Sequence, residues 1–181
     1  MGYRNGTYVA FNGCGTTNPT ESDMKYYGLL QQWNQNNQYE LNFSDSHKKT
    51  CQVLDSSQLK TLKDRLLERM KNSKNMLLII TENSSWNRGL LNFEIEKAIV
   101  LYKIPIIVAY TGYTYIMKPA ELDHLWPEAF KERIKSVKAI HIPFKQIVIA
   151  DALSQFNIHS CKLTDGLNYY SKDAYKKWGI L

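Results

Sequence analysis

Glu94 is the residue whose type and placement best suit chemistry in this chain. It lies in the segment 87–103, where Leu91, Ile95, Ala98, Ile99 and Tyr102 recur at helical spacing. At about 100° per residue these five side chains fill a sector of about that width and mark the buried stripe of a helix. Glu94 falls just outside one edge of the stripe, in line with Asn87 and Leu90, whereas Glu96 falls roughly opposite that edge and should face solvent. The geometry predicts a half-buried carboxylate about two turns into the helix, beneath the segment 81–88. Such a group can face a ligand, or it can pair at the surface with Lys97 or Arg88.

The segment before that helix, Thr81-Glu82-Asn83-Ser84-Ser85-Trp86-Asn87-Arg88, packs hydroxyls, amides, an indole and a guanidinium into one turn. A helix N-terminus with such neighbours favours anionic groups; the same residues also suit an ordinary serine-capped turn. Two further segments are rich in small polar groups. Asn12-Gly13-Cys14-Gly15-Thr16-Thr17-Asn18 lets a phosphate or ribose approach the backbone, although it matches neither the Walker A pattern nor G-x-G-x-x-G. Ser44-Asp45-Ser46-His47-Lys48-Lys49 is the other. Cys14 and His47 resemble a nucleophile and base but lack an orienting third residue.

These segments acquire meaning from the elements that must carry them. Tyr8-Val9-Ala10-Phe11, Met76-Leu77-Leu78-Ile79-Ile80 and the run 104–110 are short and apolar, and Leu41-Asn42-Phe43 and Ala139-Ile140-His141-Ile142 are weaker strands. Continuous apolar strands are buried on both faces, the mark of a parallel sheet covered by helices. Helical patterns fill the intervals. Segment 20–35 opens on Thr-Glu-Ser-Asp, a weak capping box, and carries the stripe Tyr26, Leu29, Leu30, Trp33. Segment 57–72 carries Leu59, Leu62, Leu66 and Met70, and shorter helices are expected over 127–136 and 146–156. The alternation predicts an α/β fold: a flavodoxin-like, five-stranded parallel sheet with flanking helices. Residues 1–160 are read as the domain. The tail 161–181, with Tyr169, Tyr170, Tyr175 and Trp178, is expected to pack on the domain or on another subunit. In such a sheet ligands bind outside the carboxyl ends of the strands, where strand order reverses. That rule gathers the segments 12–19, 44–50 and 81–88 at one edge.

Composition narrows the function classes. Three scattered cysteines (Cys14, Cys51, Cys161) and four scattered histidines exclude a disulfide framework and predict no metal site. No apolar run approaches the roughly 20 residues that span a bilayer, and residues 1–7 lack the apolar stretch of a secretory signal. A soluble, cytoplasmic protein is expected. The net charge is +6, and much of it comes from Lys60, Lys63, Arg65, Arg69, Lys71 and Lys74. This is the solvated face of a helix or a surface attractive to anions. No nucleic-acid motif accompanies it, so no nucleic-acid partner is assigned.

Taken together the residues resemble the TIR-like family, especially the TIR-like proteins of bacterial Thoeris antiphage systems. The resemblance rests on Tyr8-Val9-Ala10-Phe11 with its polar loop, Phe43-Ser44-Asp45-Ser46, the strand 77–81, and above all the run 84–99 containing Ser84, Trp86, Phe93 and Glu94, followed by Pro105-Ile106-Ile107. It covers about residues 7–110. Two positions depart from the family pattern: Leu90 stands where Trp or Tyr is usual, and Phe11-Asn12 replaces the usual Ser/Tyr start of the first loop. The resemblance implies cleavage of NAD, as substrate and with no cofactor, at the nicotinamide–ribose bond. The products implied are ADP-ribose or a cyclic or conjugated ADP-ribose that activates an effector, with homo-oligomerisation on activation. It implies Glu94 as the catalytic residue and Phe11, Asn12, Asp45, Ser46, Ser84, Trp86 and Leu90 as substrate-binding residues. Cleavage passes through an oxocarbenium-like state that a carboxylate stabilises, and a glutamate near a helix N-terminus is expected to stay ionised. Two other readings remain open: a nucleoside deoxyribosyltransferase-like enzyme, and a non-catalytic interaction module using the basic helix and aromatic tail.

Overall fold

The longest strand, 73–80, whose second half is the apolar run 76–80, lies at the centre of the sheet. A computed structural model describes residues 4–13, 23–36, 43–44, 56–86 and 89–181. In chain order the elements are β1 (Gly6–Ala10), α1 (Met24–Gln35), β2 (Phe43–Ser44), α2 (Ser56–Lys71), β3 (Ser73–Ile80), α3 (Leu91–Val100), β4 (Ile106–Tyr110), α4 (Glu128–Arg133), β5 (Lys138–Pro143), α5 (Gln146–Gln155), β6 (Gly166–Tyr169) and α6 (Lys172–Lys177). A 3-10 helix, Pro119–Leu125, precedes α4, and a second, Ile134–Ser136, follows it. The strands form one sheet in the order β2-β1-β3-β4-β5-β6, and every described pairing is parallel.

The first five strands have the flavodoxin-like order 2-1-3-4-5. The sixth comes from the tail, where no strand was expected. Its sequence Gly-Leu-Asn-Tyr is short, and its side chains alternate between half-buried and exposed. This is edge-strand patterning with no apolar run to announce it. The Asn168 amide fastens the edge by donating to the Ala139 carbonyl at 2.8 Å. The rest of the tail packs on the domain: Tyr175 is fully buried and its hydroxyl donates to Ile116 O at 3.2 Å.

Strand alternation divides the core into two layers. Tyr8, Ala10, Met76, Leu78, Ile80, Val108 and Tyr110 face α2, α3 and α4. Val9, Phe11, Leu77, Ile79, Ile107 and Ala109 face α1, α5 and the tail. β4 begins at Ile106 because Pro105 has no N–H for the ladder; its carbonyl accepts from Met76 N at 3.0 Å instead. No described helix is long and apolar enough to cross a membrane.

Candidate functional site

Strand order reverses between β1 and β3, so the crevice above their carboxyl ends is the place for a ligand. Side chains from three segments are tied together there. Asn12, the second residue after β1, is buried and donates through Nδ2 to the Asn83 carbonyl at 2.6 Å. Thr81, the first residue after β3, donates from its hydroxyl to Asp23 Oδ2 at 2.9 Å, and its N–H donates to Ser84 Oγ at 2.8 Å. Asp23 N in turn donates to the Asn12 carbonyl at 3.4 Å. Burial raises the Asp23 carboxyl above its ordinary value, and the bond from Thr81 opposes that rise. Asp23 stands at the N-cap of α1, yet its side chain caps no helical N–H. The expected capping box would begin at Thr20, outside the described residues, whereas the helix itself begins at Met24.

The network holds the turn after β3, which leads into α3. Gly89 lies in the left-handed region at φ +69°, and the helix starts only at Leu91, not at 87 as periodicity predicted. Glu94 is therefore in the first turn rather than two turns in, and its N–H donates to Leu90 O at 2.9 Å. It is also deeper than expected: 4% exposed, not half-buried. Its carboxyl group accepts a hydrogen bond from the hydroxyl of Tyr8, which rises from β1 and is itself fully buried.

Burial pushes the Glu94 carboxyl up to about 8, with the bond from Tyr8 working in the opposite direction. The expectation of an ionised glutamate is thus corrected. A helix N-terminus contributes about 0.3–1 kcal/mol to a carboxylate, whereas desolvation of a fully buried acid shifts its pKa by up to about 3–5 units. Desolvation wins. Burial, followed by the neighbouring Glu94, likewise holds the Tyr8 phenol well above its ordinary range. Glu96 lies at the surface and pairs with Lys97 at 3.1 Å, so the Lys97 ammonium considered for Glu94 is bound to its neighbour.

The other candidate residues separate. Phe11 lies on the opposite face of the sheet from Tyr8 and Glu94 and stacks on Tyr27 at 5.8 Å between centroids, as part of the core. Leu90 precedes the first turn of α3 and packs half-buried against the layer that holds Tyr8. Ser84 is fully buried, and Trp86 is exposed by 48%. Asp45 and Ser46, with Cys14, His47 and Arg88, lie outside the described residues. The basic helix is partly tied down: Lys63 Nζ sits 5.0 Å from the centroid of the Phe93 ring on α3. Among the described residues no three His, Cys, Asp or Glu side chains gather as a metal site.

Sequence reasoning placed Thr81 in the candidate loop but gave no site role to Tyr8 or Asp23. The signal at Tyr8 was available: a tyrosine inside a strand buried on both faces must find a partner for its hydroxyl. It missed a second polar cluster as well. Trp126 Nε1 donates to the Tyr110 hydroxyl at 2.7 Å, and that hydroxyl lies 2.7 Å from His141 Nδ1. The arrangement satisfying most groups has Tyr110 donating to Nδ1, which places the histidine proton on Nε2. Burial lowers His141 to about 3.

The family model described as "Thoeris protein ThsB, TIR-like domain" matches residues 8–115. That span runs from β1 through the loop after β4 and contains Tyr8, Asp23, Thr81 and Glu94. The chain belongs to the TIR-like family of Thoeris ThsB proteins.

Proposed function

We propose that this TIR-like protein cleaves NAD at the nicotinamide–ribose bond, with Glu94 as the catalytic carboxylate. The product is ADP-ribose, or a cyclic or conjugated ADP-ribose read by an effector in antiphage defence. The observation that carries the reading is a deeply buried carboxyl in the first turn of α3, beside the crevice where the sheet's strand order reverses. Breaking the bond builds positive charge on the ribose, and an ionised carboxylate stabilises that charge in a water-poor site. Nicotinamide leaves as a neutral base, so no general acid is required and one carboxylate suffices.

The raised Glu94 pKa fits this chemistry when the substrate's charge is counted. The nicotinamide ring of NAD is cationic, and an opposite charge within about 4–6 Å favours ionisation of a carboxyl. Binding NAD thus assists formation of the carboxylate that acts on it. In this reading Trp86 stacks on a ring, and Asn12, Ser84, Leu90, Asp45 and Ser46 belong to the substrate surround. Assembly into homo-oligomers accompanies activation.

The test is mass spectrometry of small molecules from protein incubated with NAD. Nicotinamide should appear with wild type and Glu96→Ala and be lost in Glu94→Ala. Absence of turnover from concentrated, assembled wild-type protein would sink the reading. The depth of Glu94 favours a second one, a non-catalytic TIR-like module that binds partners through α2. Charge reversal at Lys63 and Arg69 would then abolish cellular activity, while Glu94→Ala would leave it intact.

A further inference from the structure

A buried carboxyl group needs a reason to carry charge, and the described surroundings of Glu94 supply one hydroxyl. From β1 comes Tyr8, whose hydroxyl donates to Glu94 Oε1. From α2 comes Arg69, near enough to favour the ionised form of Tyr8, while Lys63 rests on the Phe93 ring. From α4, Ala129 and Phe130 join the same core layer. The helix cations beyond them are engaged elsewhere, Lys131 with Asp123 and Arg133 with Glu132. On α3 itself Lys97 pairs with Glu96. The influences resolved on Glu94 are two: burial, which favours the neutral acid, and the hydrogen bond from Tyr8, which favours the carboxylate.

A hydrogen bond to an ionised acceptor is roughly twice as strong as one to a neutral acceptor. The Tyr8 hydroxyl therefore discriminates between the two protonation states of Glu94, and both groups are too deeply buried for water to substitute for it. A phenylalanine would fill the same space in this layer. What the hydroxyl adds is a polar contact to one atom on one helix.

We propose that Tyr8 is a positioning residue for Glu94: its hydroxyl fixes the carboxyl beneath the crevice and stabilises its ionised form. This rests on the reading of Glu94 as the catalytic carboxylate, and it extends that reading to a residue that need not touch the substrate. The pair sets the pH range of the site. Ionisation, and with it turnover, rises with pH through the Glu94 midpoint; loss of the Tyr8 hydroxyl moves that midpoint upward.

The experiment follows the carboxyl directly. Infrared spectra of the whole protein are recorded against pH, and Glu94→Gln identifies the band that belongs to residue 94. In wild type the protonated carboxyl band should disappear with a midpoint near 8. In Tyr8→Phe the midpoint should rise by about one to two pH units. A midpoint that stays in place, or falls because the carboxyl has swung out to water, overturns the proposal. Should Tyr8→Phe fail to fold, 3-fluorotyrosine at position 8 keeps the ring and makes a stronger donor. The midpoint should then fall, and an unmoved midpoint overturns the proposal. The titration requires no turnover, so it judges Tyr8 even where NAD is not cleaved. Where NAD is cleaved, Tyr8→Phe should lower kcat at pH 7 about tenfold or more, KM changing less than about twofold, with recovery at higher pH.

Discussion

Two tyrosines leave the same face of the sheet, and each ends on a titratable group. Tyr8 of β1 meets Glu94 beneath α3; Tyr110 of β4 meets His141 beside Trp126 and Phe130. All four of these polar side chains are buried. Burial has the same effect in both places, favouring the neutral form, but the outcomes differ because one group is an acid and the other a base. The carboxyl is pushed up to about 8, within reach of neutral pH. The imidazole is pushed down to about 3, far from it. One cluster can change charge under ordinary conditions, and the other is locked neutral. On the proposed reading, chemistry belongs with the first and architecture with the second.

The largest expected effect breaks the comparison at its acid. Glu94→Gln preserves shape and removes the charge, so NAD cleavage should fall by about 100-fold or more. The stability effect has a defined sign. Folding raises the Glu94 pKa from 4.5 to about 8, so the native state holds the extra proton between those values. Wild-type stability therefore declines as pH rises through that window, and the decline is complete above about 8. Denaturant titrations from pH 5 to 9 should show this slope in wild type and its loss in Glu94→Gln. A common slope in both proteins would mean that the carboxyl is not buried as described.

At His141 the slope reverses. Folding lowers its pKa from 6.5 to about 3, so the unfolded chain binds the extra proton and stability is lost as pH falls from about 6.5 towards 3. His141→Leu should flatten this acid slope. At pH 7 it should cost about 1–3 kcal/mol, because the Tyr110 hydroxyl loses its acceptor. NAD cleavage at pH 8 should stay within about twofold of wild type. A large loss of turnover would show that the second cluster is part of the site.

The sheet was legible because 76–80 in β3 and 106–110 in β4 are continuous apolar runs, and a run buried on both faces has few homes besides a parallel sheet. β6 was not, because an edge strand needs only one buried face and four residues of Gly-Leu-Asn-Tyr do not repeat long enough to show it. Helical periodicity placed Glu94 at the rim of the stripe, which is correct in angle. It erred in depth, since an angle around one helix does not register a tyrosine reaching across from β1. Phe11 was misplaced for an avoidable reason: alternation from Tyr8 and Ala10 already sends it to the opposite face. His141 looked like one of four scattered histidines, because its partners Tyr110 and Trp126 are 31 and 15 residues away in the chain. Contacts of that kind are set by sheet register, here Val108 beside His141.

A smaller effect sharpens the comparison from within the second cluster. Tyr110→Phe removes the acceptor of the Trp126 N–H and a partner of His141 Nδ1 at once. Two buried groups are left to find new partners, so a cost of about 2–4 kcal/mol is expected, with the acid slope of His141 retained. Thermal unfolding at pH 7 and pH 5 measures both.

The smallest effect tests whether burial or residue type makes Glu94 exceptional. Glu96 is the same residue two positions along the same helix, but it lies at the surface and pairs with Lys97. Exposed pairs of this kind contribute about 0–1 kcal/mol. Glu96→Gln should therefore change stability by less than about 0.5 kcal/mol and leave NAD cleavage unaltered. It should also keep the wild-type decline in stability between pH 5 and 8. Loss of that decline in Glu96→Gln would assign the buried titration to the wrong glutamate and remove the contrast with His141. Its retention, beside its disappearance in Glu94→Gln, would trace the whole effect to one carboxyl whose neighbour is Tyr8 rather than water.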